Sequence, residues 1–305
     1  MIRPPPRSTQ GVSSAASDVY KRQDLTVTRL DEERFLIVTS AASQVRDLCW
    51  LRDHIPDGAR AVATDVTSAY AVIGLMGPAS RQLLSALTPD DLSAASFPFG
   101  ASREIDLAYA RVRATRMSYV GELGWELYVP SEFALAVFDS IAATSTSHGL
   151  TLAGYHALNS LRIEKAYRHW GHDISDEDTP LEAGLMFAVD LGKPGGFIGE
   201  DALLRQKEQR PTRRLVQFLL DDPGPLLYHD EPIWRDGHRV GRTTSGMYGY
   251  TLGAAVGLGY VENADGVDAE HIASGRYEIE VAGKRFAATA SLRPMYDPAS
   301  ERTHA

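Results

Sequence analysis

The sequence predicts an α+β fold, with mixed helices and strands over residues 24–210 and a C-terminal antiparallel β-barrel over residues 211–305. Three observations predict it. Strand-like and helix-like patterns alternate from Asp24 onward. After Arg210 nearly every segment is strand-like, separated by the short turns DDPGP, RDG and AGK. A chain of 305 residues that is 44% hydrophobic and 23% charged can bury the cores of two or three domains.

Taken in order, LTVTRL and RFLIVTS are two strands joined by a polar DEE turn, and a helix is expected over residues 42–54. TSAYAVIGLM is expected to be a buried strand, with Gly77 and Pro78 opening a helix over ASRQLLSAL. Residues 105–115 and 124–129 are expected strands joined across SYVGEL, followed by helices over 131–145 and 153–167. From Pro180 the chain runs through PLEAGLMFAVDL and a Gly- and Pro-containing turn into a short helix, EDALLRQKE. RRLVQFLL, EPIWRDGHRV, AAVGLGYV and RYEIEVAGKRFAATASL are then the barrel strands. The first 23 residues contain three consecutive prolines and no apolar periodicity, which predicts a disordered tail. Because SSAASDVYKRQ resembles translated adapter or vector sequence, the tail reads as non-native. It is Arg- and Ser-rich like a transit peptide, but its prolines preclude an amphipathic helix at the start.

Net charge is −9, and the basic residues are scattered, which argues against nucleic acid as a partner and favours a small molecule. No apolar run is long enough for a membrane span. Cys49 is the only cysteine, so neither an internal disulfide nor a multi-thiolate metal site can form. A reducing compartment, cytoplasm or a mitochondrial matrix, is expected.

The segment RMSYVGELGWELYVP is the most informative. Gly121 and Gly124 permit a tight turn, Tyr119, Trp125 and Tyr128 offer flat faces, and Glu122 and Glu126 supply carboxylates. One carboxylate beside a stacking aromatic suits a bicyclic amide such as a pterin. The same spacing also suits a tight hairpin with core aromatics. Asp24, at a strand end, either points into a cleft or caps a turn. Arg162 and Glu164 lie near Lys165, Arg168, His169 and Trp170, while His169 and His172 lack a third ligand at metal-site spacing. No phosphate loop, dinucleotide fingerprint or nucleophile elbow is present.

DLTVTRLDEERFLIVTSAA, SYVGELGWELYVP, PLEAGLMFAVDL, GGFIGEDALLRQK and TSGMYGYTLGAAVGLGYV together resemble the glycine-cleavage T-protein superfamily over residues 24–298. SLRIEKAYRHWGHDI and SLRPMYDP resemble most its sarcosine and dimethylglycine dehydrogenase branch. The resemblance implies a T-protein-like fold around a tetrahydrofolate site. It implies capture of the one-carbon unit from oxidative demethylation, an iminium or formaldehyde, as 5,10-methylenetetrahydrofolate. It also implies an FAD-dependent dehydrogenase domain as partner, with FAD bound only in an N-terminal half missing here. By the same resemblance Asp24 sits beside the reactive folate nitrogens, Tyr119 packs on the cofactor and Glu126 reads the pterin. Phe97 or Phe99 would be a second stacking aromatic. The T-protein branch carries an arginine where this chain has Leu158, which leaves Arg162 as the nearby folate contact. Two related activities share the pattern: a stand-alone aminomethyltransferase, and a non-enzymatic folate protein of iron-sulfur assembly, whose KGCYxGQE motif is absent here.

Overall fold

The computed structural model describes residues 25–305, so the expectations for the tail and for Asp24 lie outside the described residues. The chain forms two compact units, residues 25–152 with 300–305, and residues 153–299.

The first unit opens with a hairpin of β1 (Leu25–Arg29) and β2 (Phe35–Thr39), in which Leu25 pairs with Thr39 and Arg29 with Phe35. Its turn is set by Asp31, whose Oδ1 accepts from the Glu33 and Arg34 amides at 3.0 and 2.9 Å. Helix α1 (Gln44–Asp53) follows, then β3 (Tyr70–Met76) and α2 (Ser80–Ser85). Strands β4 (Ser102–Leu107), β5 (Ala110–Thr115) and β6 (Gly124–Pro130) complete an antiparallel sheet in the order β3-β6-β5-β4. Helices α3 (Ala134–Ala143) and α4 (Ser145–His148) end the segment.

Two expectations need correction. TSAYAVIGLM is an edge strand rather than a buried one, and Tyr70 and Val72 are 41% and 57% exposed. Residues 105–115 are two strands, not one. The chain reverses at Ala108 and Tyr109, both at positive φ (48° and 67°), a conformation usual for tight hairpins but not for these residue types.

Side-chain alternation gives the sheet two unlike faces. Ile73, Leu75, Ile105, Leu107, Val112, Ala114, Trp125, Leu127 and Val129 turn to the core, where they meet Leu83 and Leu84 of α2 and Val137 and Ile141 of α3. Burying each large side chain contributes about 1.5–3 kcal/mol. The opposite face carries Glu126 and Tyr128. Gly124 permits close packing of β6 on β3, since a Cβ there would lie 2.1 Å from Met76 Sδ and 3.0 Å from the Leu75 carbonyl.

In the second unit α5 (Tyr155–Glu164) packs on β9, and α6 (Glu200–Glu208) precedes the barrel. Strands β7 (Arg213–Leu220), β8 (Pro232–Arg235), β9 (His238–Gly249), β10 (Ala254–Glu262), β11 (Tyr277–Val281) and β12 (Lys284–Ser291) close in the order β10-β7-β12-β11-β8-β9. Every pairing is antiparallel. The RDG and AGK turns fall where expected, and Phe218, Ile233, Val261, Tyr277 and Ile279 fill the interior. A short helix, α7 (Ala269–Ser274), lies between β10 and β11, and α8 (Glu301–His304) belongs to the first unit. Among the described residues no helix is long and apolar enough to cross a membrane.

Candidate functional site

The loop of residues 116–123 carries half-buried Tyr119 and delivers the chain into β6, where Glu126 is the third residue. Arg116 anchors the start of this loop. It is 1% exposed, and its Nη1 donates to the Phe97 carbonyl at 2.7 Å while Nη2 donates to the carbonyls of His304 and Ala305. At the far end of the loop, the Leu123 carbonyl accepts from the Gly77 amide at 2.7 Å and from Ser80 Oγ at 3.1 Å. Tyr119 and Glu126 therefore belong to one braced segment.

Glu126 is half-buried on the sheet face opposite the core. Tyr128, two residues on and on the same face, donates its hydroxyl to Glu126 Oε2 at 2.6 Å. Among the described residues no arginine, lysine or histidine lies within ion-pair distance of Glu126. Arg113, opposite Tyr128 in register, is committed to Glu104 at 3.0 Å. The carboxylate is thus held by a neutral donor and, among the described residues, paired with no cation, which suits it to accept hydrogen bonds from a polar heterocycle.

The other predicted aromatics divide by burial. Phe97 has 0% exposure; the Arg103 guanidinium lies 4.3 Å from its ring centroid and Trp125 meets it edge-on at 6.2 Å, so the ring has no free face. Trp125, also at 0%, likewise serves the core. Of the Phe97/Phe99 pair, only Phe99 presents ring surface; it is 42% exposed and lies 4.8 Å from the His304 ring.

Arg162 belongs to the second unit and is 2% exposed. Four of its five N–H donors are engaged inside the protein: Nε on Asn159 Oδ1 (2.7 Å), Nη1 on the Tyr167 carbonyl (3.0 Å) and Asp173 Oδ2 (2.5 Å), and Nη2 on Ser245 Oγ (2.7 Å). Asp173, 1% exposed, also accepts from Thr244 Oγ1 and the His169 amide at 2.5 and 2.9 Å. This buried network ties α5 to β9. The expectation of Arg162 as a folate contact meets a guanidinium already engaged by protein groups. The neighbouring Glu164, fully buried, accepts from the Thr251 and Leu252 amides and so holds the β9–β10 turn. His169 and His172 pack ring against ring at 4.7 Å, and among the described residues no three potential ligands gather around a metal position.

Sequence reasoning did not single out Asp173, or Tyr128 as a partner of Glu126. The second was accessible, because residues i and i+2 of a strand share a face.

An α+β unit carrying this braced carboxylate, together with a closed six-stranded barrel, defines a protein of the T-protein class. The chain matches the GCVT N-terminal domain over residues 18–193 and the glycine cleavage T-protein C-terminal barrel domain over residues 213–297, and it belongs to that family. It is 44% identical over 279 residues to a 4-methylaminobutanoate oxidase (formaldehyde-forming) of Paenarthrobacter nicotinovorans, covering 92% of this chain and 33% of that protein. Human mitochondrial sarcosine dehydrogenase is 39% identical over 240 residues, 78% of this chain and 26% of the enzyme. The chain therefore spans a third or less of these relatives' length. An aminomethyltransferase of Listeria monocytogenes is 34% identical over 273 residues, covering 90% of this chain and 72% of the relative. In fold, the chain resembles the crystal structure of glycine cleavage system aminomethyltransferase T from Bartonella henselae with a TM-score of 0.78 at 24% identity, over 96% of this chain and 77% of the other.

Proposed function

We propose that the chain is the tetrahydrofolate-binding module of an amine-demethylating flavoenzyme of the sarcosine or dimethylglycine dehydrogenase kind. It takes up the methyl-derived iminium or formaldehyde as 5,10-methylenetetrahydrofolate. The observation that carries this reading is Glu126, a half-buried carboxylate held by Tyr128 and paired with no cation among the described residues. A carboxylate of this kind fits the adjacent ring N–H and amino donors of a pterin. The 44% and 39% identities to demethylating oxidoreductases favour that branch.

Bound tetrahydrofolate supplies the nucleophilic nitrogens. Glu126 orients the pterin, Tyr119 packs on it and Phe99 is the better-exposed candidate for a second ring contact. Asp24 is assigned to accept the proton released at nitrogen. Flavin chemistry has no holder in this sequence, which lacks a dinucleotide fingerprint, and is assigned to a dehydrogenase domain. The similarity to a bacterial aminomethyltransferase over 72% of its length favours a second reading, transfer from an aminomethyl-lipoyl carrier protein.

Calorimetric titration with tetrahydrofolate tests the site. Binding by the 305-residue chain and its measurable weakening in Glu126→Ala are expected, whereas Asp24→Ala should retain affinity and slow methylene transfer. Unchanged affinity in Glu126→Ala would overturn the assignment, and transfer that requires the lipoyl carrier would decide for the second reading.

A further inference from the structure

We propose that Tyr128 is a positioning residue of the folate site: its buried hydroxyl, 2.6 Å from Glu126 Oε2, fixes the carboxylate in the orientation that receives the pterin donors. This inference rests on the assignment of Glu126 to the pterin and adds the residue through which the fold controls it.

The neighbours of Glu126 on its sheet face leave Tyr128 as the group that fixes the carboxylate. Across the strands, Glu126 stands between Gly74 of β3 and Thr115 of β5. Gly74 contributes no side chain. The Thr115 hydroxyl donates to Ser102 Oγ at 2.9 Å, and its proton is therefore not directed at Glu126. Arg113, one row over and opposite Tyr128, is turned to Glu104. Among the described residues Tyr128 is the one hydrogen-bond donor to Glu126. A glutamate with a single anchor point otherwise samples several rotamers, and each pays entropy when a ligand selects one.

Tyr128 is suited to this task in two respects. At 4% exposure its ring is immobilised, so the hydroxyl position is set by β6 itself. Burial first, and the adjacent Glu126 charge second, push its phenol well above the ordinary value, so it stays protonated and can only donate to the carboxylate. Glu126 Oε2 is consumed in part by this bond, and Oε1 is left as the better acceptor for a ligand.

The test is a double-mutant cycle on tetrahydrofolate affinity, measured by anaerobic calorimetric titration of the full 305-residue chain as wild type, Tyr128→Phe, Glu126→Ala and the double variant. Tyr128→Phe keeps the buried ring and removes only the hydroxyl. It should weaken tetrahydrofolate binding roughly tenfold, the order of one hydrogen bond to a charged group. The double variant should bind no more weakly than Glu126→Ala alone, because a residue that acts through Glu126 has nothing to position once the carboxylate is gone. A merely structural role would persist in the Glu126→Ala background and give additive losses, which would overturn the proposal. So would wild-type affinity in Tyr128→Phe alongside weak binding in Glu126→Ala. Wild-type affinity in Glu126→Ala itself would instead overturn the Glu126 assignment on which the inference depends.

Discussion

Replacing Arg162 by methionine separates a structural arginine from a ligand-binding one. The substitution keeps much of the side-chain volume but deletes the partner of a carboxylate that is 1% exposed, at a contact of 2.5 Å. Removing one member of a buried ion pair typically costs about 3–5 kcal/mol, because the remaining charge is stranded away from water. Asp173 would keep its bonds from Thr244 and the His169 amide, which places the expected loss near the lower figure, about 3 kcal/mol. For a unit of this size that corresponds to a fall of roughly 6–12 °C in melting temperature. Urea and thermal unfolding measure the loss, and tetrahydrofolate affinity is compared well below the transition. Pairing Arg162→Met with Asp173→Leu should recover much of the stability, since the stranded charge is then gone. A stability loss below about 1 kcal/mol, the scale of an exposed pair, would refute the reasoning. Weakened folate binding at unchanged stability would refute it too, and would restore Arg162 as a ligand contact.

Two further outcomes follow from the packing and the charges. Gly124→Ala should destabilise the first unit by about 1–3 kcal/mol in urea unfolding, because Met76 Sδ can move but the Leu75 carbonyl, 3.0 Å from the added carbon, cannot; a neutral effect would show that β3 yields. Burial first, then the Arg235 charge, lower His271 below its ordinary 6.5, against opposing contributions from Asp268 and Asp236. The folded state thus prefers the neutral ring, so stability from this group is present above about pH 6.5 and is lost as pH falls below it. The gap between wild type and His271→Gln in urea midpoint should change across that range, and a pH-independent gap would exclude the linkage.

Much of the architecture was legible because local chemistry announced it. The barrel turns at Asp236–Gly237 and Ala282–Gly283 are strong hairpin signals, and Asp31 marks the first reversal. The β4–β5 turn was hidden because Ala108 and Tyr109 adopt positive φ without the usual Gly or Asn, so tertiary pairing overrides a weak local preference. The edge position of β3 was hidden because AVIGLM is apolar on both sides, and a continuous apolar run does not report which side is covered. Helix α7 left a signal that was passed over: Asp268 caps it by accepting from the His271 amide at 2.8 Å.

The residue types proposed for the site were legible in the sequence, whereas the surroundings of each side chain were not. Residue type names what a side chain can do, while strand phase decides which side it faces. In G-W-E-L-Y-V the period of two places Trp125 and Leu127 on one face and Glu126 and Tyr128 on the other, so an aromatic beside a carboxylate in sequence cannot stack on what that carboxylate holds. The same parity argument does not reach Phe97 and Phe99, which lie outside the strands and have equal spacing. There the structure separates them by what surrounds each ring, with Arg103 and Trp125 enclosing Phe97 while Phe99 remains partly exposed. Arg162 belongs with these cases. Apart from Asn159, its partners, Asp173 above all, come from the chain reversal at residues 167–174 and from β9, which no spacing within α5 could reveal.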